Sequence, residues 1–472
     1  MADPSNDDIR RTRDDLSRML GAGAVEWDEG TLREHSHDWW MVSQLRLLRG
    51  TLGNRPACVV NPENTGQVRQ ILTYANERRI PVVPFGAGSG VCAAVQPERD
   101  AIVVDLRRMN RILEVNETAL TVRVQPGMMG NAFEAALNQR GYSMGHFPQS
   151  IDLSTVGGWV ATRAAGQFST RYGSIEDVLL ALEAVLPNGQ VVRTRVGPRS
   201  ATGPDLRQIF LGSEGTLAIF TELTLRIFPR PESRVMESFS FPDFDAGLEA
   251  IRALVRAGWR PPVLRLYDAV ETERHFGDGK GCLLLVLSEG PSSLTAVEME
   301  GCRRACAEHG GRAAGEGRVA HWLETRNQVP GFEPFLKKGF VLDTIEVATT
   351  WDRIHDLYRE VIAGLSSVPG IVAASGHSSH SYAQGTNIYF TFAARPDDPA
   401  QAEPTYFACW EKTMEATLRV GGTIAHHHGV GRLRTKWMPE ELGAGGLAVL
   451  RALKHALDPN GIMNPGALLP QS

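Results

Sequence analysis

The stretch from Gly145 to Gly166 reads GHFPQSIDLSTVGGWVATRAAG and is small, rich in hydroxyl groups and poor in charge. Small residues let main-chain groups come close to a ligand, and the many hydroxyl groups offer hydrogen bonds to it. This composition is typical of a backbone that lines a flat, polar ligand. We therefore predict that residues 145–166 form part of a cofactor-binding surface.

Two further glycine turns flank this stretch. One is Pro84-Phe85-Gly86-Ala87-Gly88-Ser89-Gly90, directly after a predicted strand, and the other is Gly212-Ser213-Glu214-Gly215-Thr216-Leu217, directly before one. Successive N–H groups in such a turn can form a nest for an anion, although the first loop alone could equally be a tight turn. A dinucleotide-binding fingerprint would need a third glycine where Val91 stands, so that interpretation is weak.

Length, charge and cysteine content exclude several classes of protein. A chain of 472 residues is long enough for two or three domains, and a net charge of −5 argues against a nucleic-acid partner. The six cysteines contain no CxxC pair, which favours free thiols in a reducing compartment. The N-terminal residues have no apolar signal core, and no run reaches the ~18 apolar residues of a membrane span. We expect a bacterial cytoplasmic protein.

The order of apolar runs predicts an α+β protein. Strands are predicted at 58–60, 80–84, 101–105, 112–115, 119–124 and 217–227, with a hairpin over 179–195. After the proline-rich segment 228–232, helices are predicted near 243–257, 292–308 and 351–365, with strands at 263–267, 282–288 and 386–393. We divide the chain into a helical lead-in (1–50), a ligand-binding domain (51–230), a second α+β domain (231–425) and a C-terminal segment (426–472).

The run His426-His427-His428-Gly429-Val430-Gly431-Arg432 is the main candidate for proton transfer. Histidine changes protonation most easily near neutral pH, and the arginine could bind an anion. A surface turn with accidental histidines is the alternative, since neighbouring side chains in a strand face opposite ways.

Together these elements resemble the vanillyl-alcohol-oxidase, or PCMH-type, family of FAD flavoproteins, over roughly residues 50–470. The resemblance implies a two-lobed FAD-binding domain, an α+β cap domain over the flavin, and a C-terminal segment that returns to the FAD domain. Covalent members attach the flavin through a histidine in the first glycine loop or through a residue of the cap. This loop has Ala87 and Ser89 and no histidine, so we expect non-covalent FAD.

Within that family the chain most resembles the alkyldihydroxyacetonephosphate synthases, which form the ether bond of ether lipids. The resemblance implies acid/base roles for Tyr389 and for His426, His427 and His428, a required Arg265, and a further active-site histidine at His146. For Tyr389 the alternative is packing in a strand; for Arg265 it is a solvated ion pair, and for His146 a turn cap. Lys337–Glu346 resembles a cap segment of the family, although its charges could equally decorate a solvent face.

The resemblance also implies a mechanism without net redox change. N5 of reduced FAD would attack C1 of an acyl-dihydroxyacetone phosphate and displace the fatty acid, and a fatty alcohol would then replace the flavin. Arg265 or Arg432 would hold the phosphate. The alternative function is an FAD-linked oxidase or dehydrogenase of a hydroxy acid or alcohol.

The metal-dependent FAD dehydrogenases of D-2-hydroxy acids are the rival relatives. They carry a His-x₆-His pair and a Glu-His-Gly-x-Gly segment, and the corresponding positions here hold Tyr382, Tyr389 and His427. Two phenols and an imidazole would make a poor divalent-metal site, so we expect no metal, although His377 and His380 offer an alternative ligand pair.

The resemblance gives a full set of expected FAD contacts. They lie in the three glycine-rich elements: Pro84, Phe85, Gly86, Ala87, Gly88, Ser89, Gly90, Pro148, Gln149, Ser150, Asp152, Ser154, Thr155, Gly158, Thr162, Arg163, Ala164, Glu214, Gly215, Ala218 and Ile219. The expected partners are a small-molecule or lipid substrate and a second copy of the chain in a homodimer, with peripheral membrane contact and no nucleic acid.

Overall fold

The structure, a computed structural model, describes residues 5–53, 55–277 and 281–470. Its first lobe is built on a four-stranded sheet of order β1-β2-β4-β3, in which β2, β4 and β3 run parallel and β1 is antiparallel to β2. The strands are β1 (Val25–Glu26), β2 (Cys58–Val60), β3 (Val82–Phe85) and β4 (Ile102–Asp105). The helices around them are α1 (Asn6–Leu20), α2 (Glu29–Glu34), α3 (Met41–Leu48) and α4 (Thr65–Arg78).

The N-terminal segment differs from the prediction in one respect. We predicted a helical lead-in over 1–50, and α1, α2 and α3 lie there, but Val25 and Glu26 also form an edge strand of the first sheet, opposite Val60 and Val59. Two residues are too short to show a period-2 pattern, so pairing with β2 rather than local sequence creates this strand.

The second lobe is a five-stranded antiparallel sheet of order β5-β6-β10-β8-β9. Its strands are β5 (Ile112–Asn116), β6 (Thr121–Val124), β8 (Leu179–Val185), β9 (Val191–Arg193) and β10 (Ile219–Arg226), and β7 (Tyr142–Ser143) pairs separately with β11 (Phe228–Pro229). The predicted hairpin over 179–195 is confirmed as β8 and β9. The helices are α5 (Gly130–Asn138), α6 (Val156–Thr162), α7 (Ser169–Tyr172), α8 (Ile175–Val178) and α9 (Leu206–Phe210).

A seven-stranded antiparallel sheet of order β15-β12-β14-β13-β17-β18-β16 forms the cap. Its strands are β12 (Ser233–Phe241), β13 (Val263–Tyr267), β14 (Cys282–Gly290), β15 (Arg312–Gly315), β16 (Val341–Thr350), β17 (Ile371–Ser378) and β18 (Gly385–Ala394). The helices that follow β12 in the chain are α10 (Phe244–Arg256), α11 (Ala269–Phe276), α12 (Ser292–Glu308), α13 (Gly317–Thr325), α14 (Glu333–Leu336), α15 (Ile354–Ser366), α16 (Ala402–Arg419) and α17 (Met438–Leu457).

The end of the chain returns to the first lobe. The N–H of Val82 donates to the carbonyl of Ile462, and the N–H of Asn464 donates to the carbonyl of Val82, each at 2.8 Å. Ile462 and Met463 are buried in the apolar core of that lobe. The return places the loop that carries His426–Arg432 between the lobes and the cap.

The cysteines and the helices were each the subject of a prediction from the sequence. All six cysteines are buried and unpaired, as expected for free thiols. Within the described residues, no helix is both long enough and apolar enough to cross a membrane.

Candidate active site

The three predicted glycine-rich elements meet in space. A Cβ added to Gly86 would lie 2.5 Å from Oγ1 of Thr155, and one added to Gly215 would lie 2.8 Å from Cγ of Pro84. Real Cβ contacts are not this short, so each glycine is required by the neighbouring element. Gly88 has φ +69°, where glycine is favoured over other residues. The elements thus build one continuous surface of closely approaching backbone.

The stretch from Gly145 to Gly166 is organised around Trp159. The indole Nε1 donates to Oγ of Ser154 at 2.7 Å, and Ser154 in turn donates to the carbonyl of Ser150. Oγ1 of Thr155 accepts the N–H of Gly158 at the start of α6, and Thr162 donates to the Gly158 carbonyl. These contacts fix the small-residue backbone without using charged side chains.

The other expected FAD contacts differ in how far they are exposed to solvent. Pro148, Ala164, Ala218 and Ile219 are buried, and the last three lie in apolar cores, where their side chains pack against protein. Three polar members of the set are exposed: Gln149, Asp152 and Arg163. Ala87, Ser89, Gly90 and Pro84 are partly exposed beside the buried ring of Phe85.

Glu214 has a different set of contacts from the one expected of a cofactor ligand. Its carboxylate accepts the N–H of Val430 at 2.6 Å and that of Gly431 at 2.7 Å. Its own carbonyl accepts from Nδ2 of Asn464 at 2.8 Å. Burial raises the pKa of Glu214 to about 7. Glu214 therefore joins the Gly212–Leu217 turn to the histidine loop.

His146 is not part of the histidine network. Its ring is buried and packs on Trp159, with ring centroids 5.0 Å apart. Neither ring nitrogen has a hydrogen-bond partner among the described residues, and burial lowers the pKa of His146 to about 3. Both nitrogens are closed off from solvent, so His146 is a packing residue of this stretch rather than a ligand-facing group. The glycine surface, and not His146, is the feature that fits a flavin.

Tyr389 lies at the centre of the predicted catalytic set. Its hydroxyl oxygen is 2.8 Å from Nε2 of His427 and 2.7 Å from Nε2 of His428. Burial raises the pKa of Tyr389 well above its ordinary value, which keeps the phenol protonated. A phenol between two imidazoles can give a proton to one side and take one from the other. This geometry is suited to acid/base chemistry.

A buried ion pair supports this centre from behind. The Glu346 carboxylate, on β16 opposite Tyr389, pairs with the Arg434 guanidinium, and both side chains are fully buried. Glu346 also accepts the N–H of His427 and that of His428, and Nδ1 of His428 lies 3.0 Å from its Oε2. Burial acts to raise the pKa of Glu346, but Arg434 and His428 outweigh it and hold the pKa well below its usual range.

A second chain of polar and charged contacts reaches the aromatic ring of Tyr389. The ring of His377 stacks on that of Tyr389 with centroids 5.0 Å apart. Nε2 of His377 is 2.8 Å from an Nη of Arg265, and Nδ1 is 2.7 Å from the buried Glu271 carboxylate. Arg265 also donates to the hydroxyl of Tyr267 at 2.6 Å. Arg265 thus joins the site through His377 and supplies a cation beside Tyr389.

His426 extends the cluster away from Tyr389. Its Nδ1 lies 2.7 Å from Nδ1 of His427, and its Nε2 lies 2.8 Å from the hydroxyl of Tyr382. Burial lowers the pKa of His426 to about 4, and burial likewise holds the pKa of His427 well below its ordinary value, so both rings are neutral at physiological pH.

His380 stands beside this pair, and its Nε2 has no hydrogen-bond partner among the described residues. One ring nitrogen from each of His380, His426 and His427 lies within 4.8 Å of the others, a spacing that could hold a metal ion.

Several residues of this site escaped the sequence analysis. Glu346 ends the stretch Lys337–Glu346, whose lysines are exposed while Asp343 and Glu346 are buried. Arg434 lies two residues beyond the predicted motif, whereas Arg432 turns away and donates to the carbonyl of Gln96 at 2.9 Å. The sequence feature that could have indicated a role for Glu346 is its position as an acidic residue inside an apolar strand.

Two family models match the chain. One, described as FAD binding domain, matches residues 56–195, and the other, described as FAD linked oxidases, C-terminal domain, matches residues 230–468. The chain is 35% identical to the uncharacterized FAD-linked oxidoreductase YgcU of Escherichia coli K12, over 97% of this chain and 98% of that one. It is 31% identical to the alkyldihydroxyacetonephosphate synthase of Trypanosoma brucei brucei, over 97% and 80% of the two chains. A solved structure of an alkyldihydroxyacetonephosphate synthase superposes with a TM-score of 0.83 at 26% identity, covering 98% of this chain and 86% of that one.

Proposed function

The chain belongs to the FAD-linked oxidase family, has the PCMH-type flavoprotein fold and is an FAD-dependent enzyme, and from this premise we propose that it exchanges the acyl group of an acyl-dihydroxyacetone phosphate for a fatty alcohol. The observation that carries the proposal is the Tyr389 hydroxyl, which lies 2.8 and 2.7 Å from two imidazole nitrogens. The similarity to alkyldihydroxyacetonephosphate synthases supports it.

An exchange needs a hydrogen-bond donor and a proton acceptor at one place. The fatty acid leaves as its carboxylate, which a hydrogen bond stabilises, while the incoming alcohol must lose its hydroxyl proton. The neutral phenol of Tyr389 donates that hydrogen bond, and it later accepts the alcohol's proton while passing its own to His428, whose imidazolium the nearby Glu346 carboxylate stabilises. FAD supplies the covalent or redox chemistry at the reacting carbon when it is bound.

The phosphate of such a substrate needs a cation near Tyr389. Arg265 is held by Tyr267 and His377, and His377 stacks directly on Tyr389. A guanidinium can bind a phosphate through two parallel hydrogen bonds, so Arg265 is the residue that we assign to the substrate anion. Burial first, and then Arg265, lower the pKa of His377 to about 4, which keeps that ring neutral beside the cation.

Oxidation of a hydroxy acid or alcohol is the second candidate function. It is favoured by the 35% identity to a protein named as an FAD-linked oxidoreductase. The same residues would serve, since Tyr389 and His428 could remove a hydroxyl proton and Arg265 could bind a carboxylate. The exchange also needs a hydrogen-bond donor for the leaving carboxylate, however, whereas an oxidation needs only the base.

A side-by-side assay separates the two functions. The purified holoenzyme is incubated with acyl-dihydroxyacetone phosphate and a labelled long-chain alcohol, and separately with a panel of hydroxy acids and an artificial electron acceptor. We expect labelled ether in the first reaction and no net acceptor reduction in the second. Brisk acceptor reduction without ether formation would establish the oxidase function instead.

A further inference from the structure

We propose that Tyr382 and His426 form the outer half of a proton relay that connects Tyr389 to the boundary between the FAD-binding and cap domains. The inference rests on the proposed acid/base role of Tyr389 and assigns a route for the protons that this role moves. Tyr382 and His426 act through their neighbours and are relay residues rather than groups that touch the substrate.

The relay is a continuous row of short contacts. The Tyr382 hydroxyl is 2.8 Å from Nε2 of His426, and Nδ1 of His426 is 2.7 Å from Nδ1 of His427. Nε2 of His427 then meets the Tyr389 hydroxyl at 2.8 Å, which meets Nε2 of His428 at 2.7 Å. Phenols and imidazoles both donate and accept, so each member can pass a proton along the row.

When His428 is neutral, all hydrogen bonds of the row are donated in the same direction. Nδ1 of His428 lies 3.0 Å from Oε2 of the ionised Glu346 carboxylate, without the alignment of a hydrogen bond. The negative charge favours a proton on that nitrogen, because a lone pair there would be repelled. Nε2 of His428 must then accept from Tyr389.

The donors further from Glu346 are then fixed in turn. Tyr389 accepts from Nε2–H of His427, His427 accepts at Nδ1 from His426, and Nε2 of His426 accepts from Tyr382. Every donation points toward Glu346, and no member of the row carries a charge.

One proton can cross this row without leaving a charge in the middle. A proton arriving at the Tyr382 oxygen displaces one proton at each link and ends on Nε2 of His428, whose imidazolium then pairs with Glu346. After this transfer every hydrogen bond of the row points the other way. The proton on His428 can then leave through the same steps in reverse, towards Tyr382. The proposed exchange leaves one proton behind per turnover at neutral pH, because the alcohol enters protonated and the fatty acid leaves as its carboxylate.

The outer end of the row lies near solvent. Tyr382 is partly exposed, and the next two residues, Ala383 and Gln384, are exposed. Burial raises the pKa of Tyr382 to about 12, and Ser174, Glu176 and Asp177 lie close enough to the phenol to affect that pKa. These groups belong to the FAD-binding domain, so the row ends at the domain boundary.

The first test is the time course of ether formation by the Tyr382→Phe holoenzyme. His428 can store one proton, so we expect a first turnover close to that of the wild type and later turnovers slowed on the order of tenfold. This is below the ~10²–10⁴-fold effect of removing a direct acid/base group. A small diffusible buffer such as imidazole should restore the later turnovers. Tyr142→Phe removes a phenol outside the relay and should show neither effect.

If the first and later turnovers of Tyr382→Phe slow equally without buffer rescue, or if neither changes, the relay is overturned. The second test needs no substrate and so separates failure of the relay from failure of the proposed function. Nitrogen-15 NMR of histidine-labelled protein should place the His426 proton on Nδ1, and Tyr382→Phe should shift that resonance. A proton on Nε2 of His426, with one bound metal ion per chain by elemental analysis, would overturn the relay in favour of a metal held by His380, His426 and His427.

Discussion

The Glu346 carboxylate is bound to the Arg434 guanidinium in a fully buried ion pair, with Oε1 2.9 Å from Nη1. Because Glu346 also accepts the N–H of His427 and that of His428, the pair holds the histidine loop against the cap sheet. Arg434→Ala would leave an uncompensated buried carboxylate, at a cost of about 3–5 kcal/mol.

We expect a clear fall in the midpoint of thermal unfolding of Arg434→Ala, followed by circular dichroism. Arg10→Ala breaks the exposed pair with Asp7 and should leave the midpoint unchanged. Equal midpoints for the two variants would show that the buried pair does not hold the loop.

Glu214 makes a pH-dependent contribution to stability. Burial raises its folded pKa to about 7, above an ordinary value of about 4.3, so the folded state binds its proton more tightly than the unfolded state. That stabilisation is fully present below the unfolded pKa and is lost as the pH rises through about 7. Glu214→Gln abolishes the titration, so the unfolding midpoint of the variant minus that of the wild type should increase from pH 5 to pH 8. A difference that stays constant over that range would contradict the assignment.

A substitution at Gly86 tests whether the glycine surface binds FAD. A methyl group at Gly86 would lie 2.5 Å from Oγ1 of Thr155, so Gly86→Ala must displace the first loop from the Gly145–Gly166 stretch. We expect less FAD per folded chain, measured from the absorbance of the released flavin against protein concentration. Gly53→Ala is the matched control, because nothing lies within 4 Å of its added Cβ. If both variants retain full FAD, the two elements do not form the binding surface.

The flavin should be released intact when the protein is precipitated with acid. The loop from Pro84 to Gly90 offers no histidine for covalent attachment, and the His146 ring is buried against Trp159. Absorbance spectra of the supernatant and of the redissolved pellet distinguish the two cases. Flavin that stays with the pellet would show a covalent bond.

Local sequence was sufficient for the elements whose pattern is set within a few residues. The hairpin over 179–195 and the helix Phe244–Arg256 both follow from regular apolar spacing bounded by turn residues. The edge strand Val25–Glu26 was not predicted, because it exists only through its pairing with Val59 and Val60.

The sequence predicted Tyr389 and the three histidines as candidate site residues, but it predicted neither their contacts nor the roles of Glu346 and Arg434. Three successive histidines in a strand would face alternate sides, yet all three rings join one row here. The segment is a loop in which Gly429 has φ +82° and Gly431 φ +54°, and Glu346 anchors two of its N–H groups. Glu346, Arg434 and Tyr382 come from distant parts of the chain, so only the fold brings them to the histidines.

The most direct test of the account is ether formation by the Tyr389→Phe holoenzyme. Phenylalanine keeps the ring that stacks on His377 and removes the hydroxyl between His427 and His428, so FAD content and the unfolding midpoint should persist. Turnover should fall ~10²–10⁴-fold, as expected for loss of a general acid/base group. Tyr142→Phe should retain wild-type turnover. Full ether-forming activity in Tyr389→Phe, with FAD bound, would show that the tyrosine and its histidines are structural and would contradict the proposed chemistry.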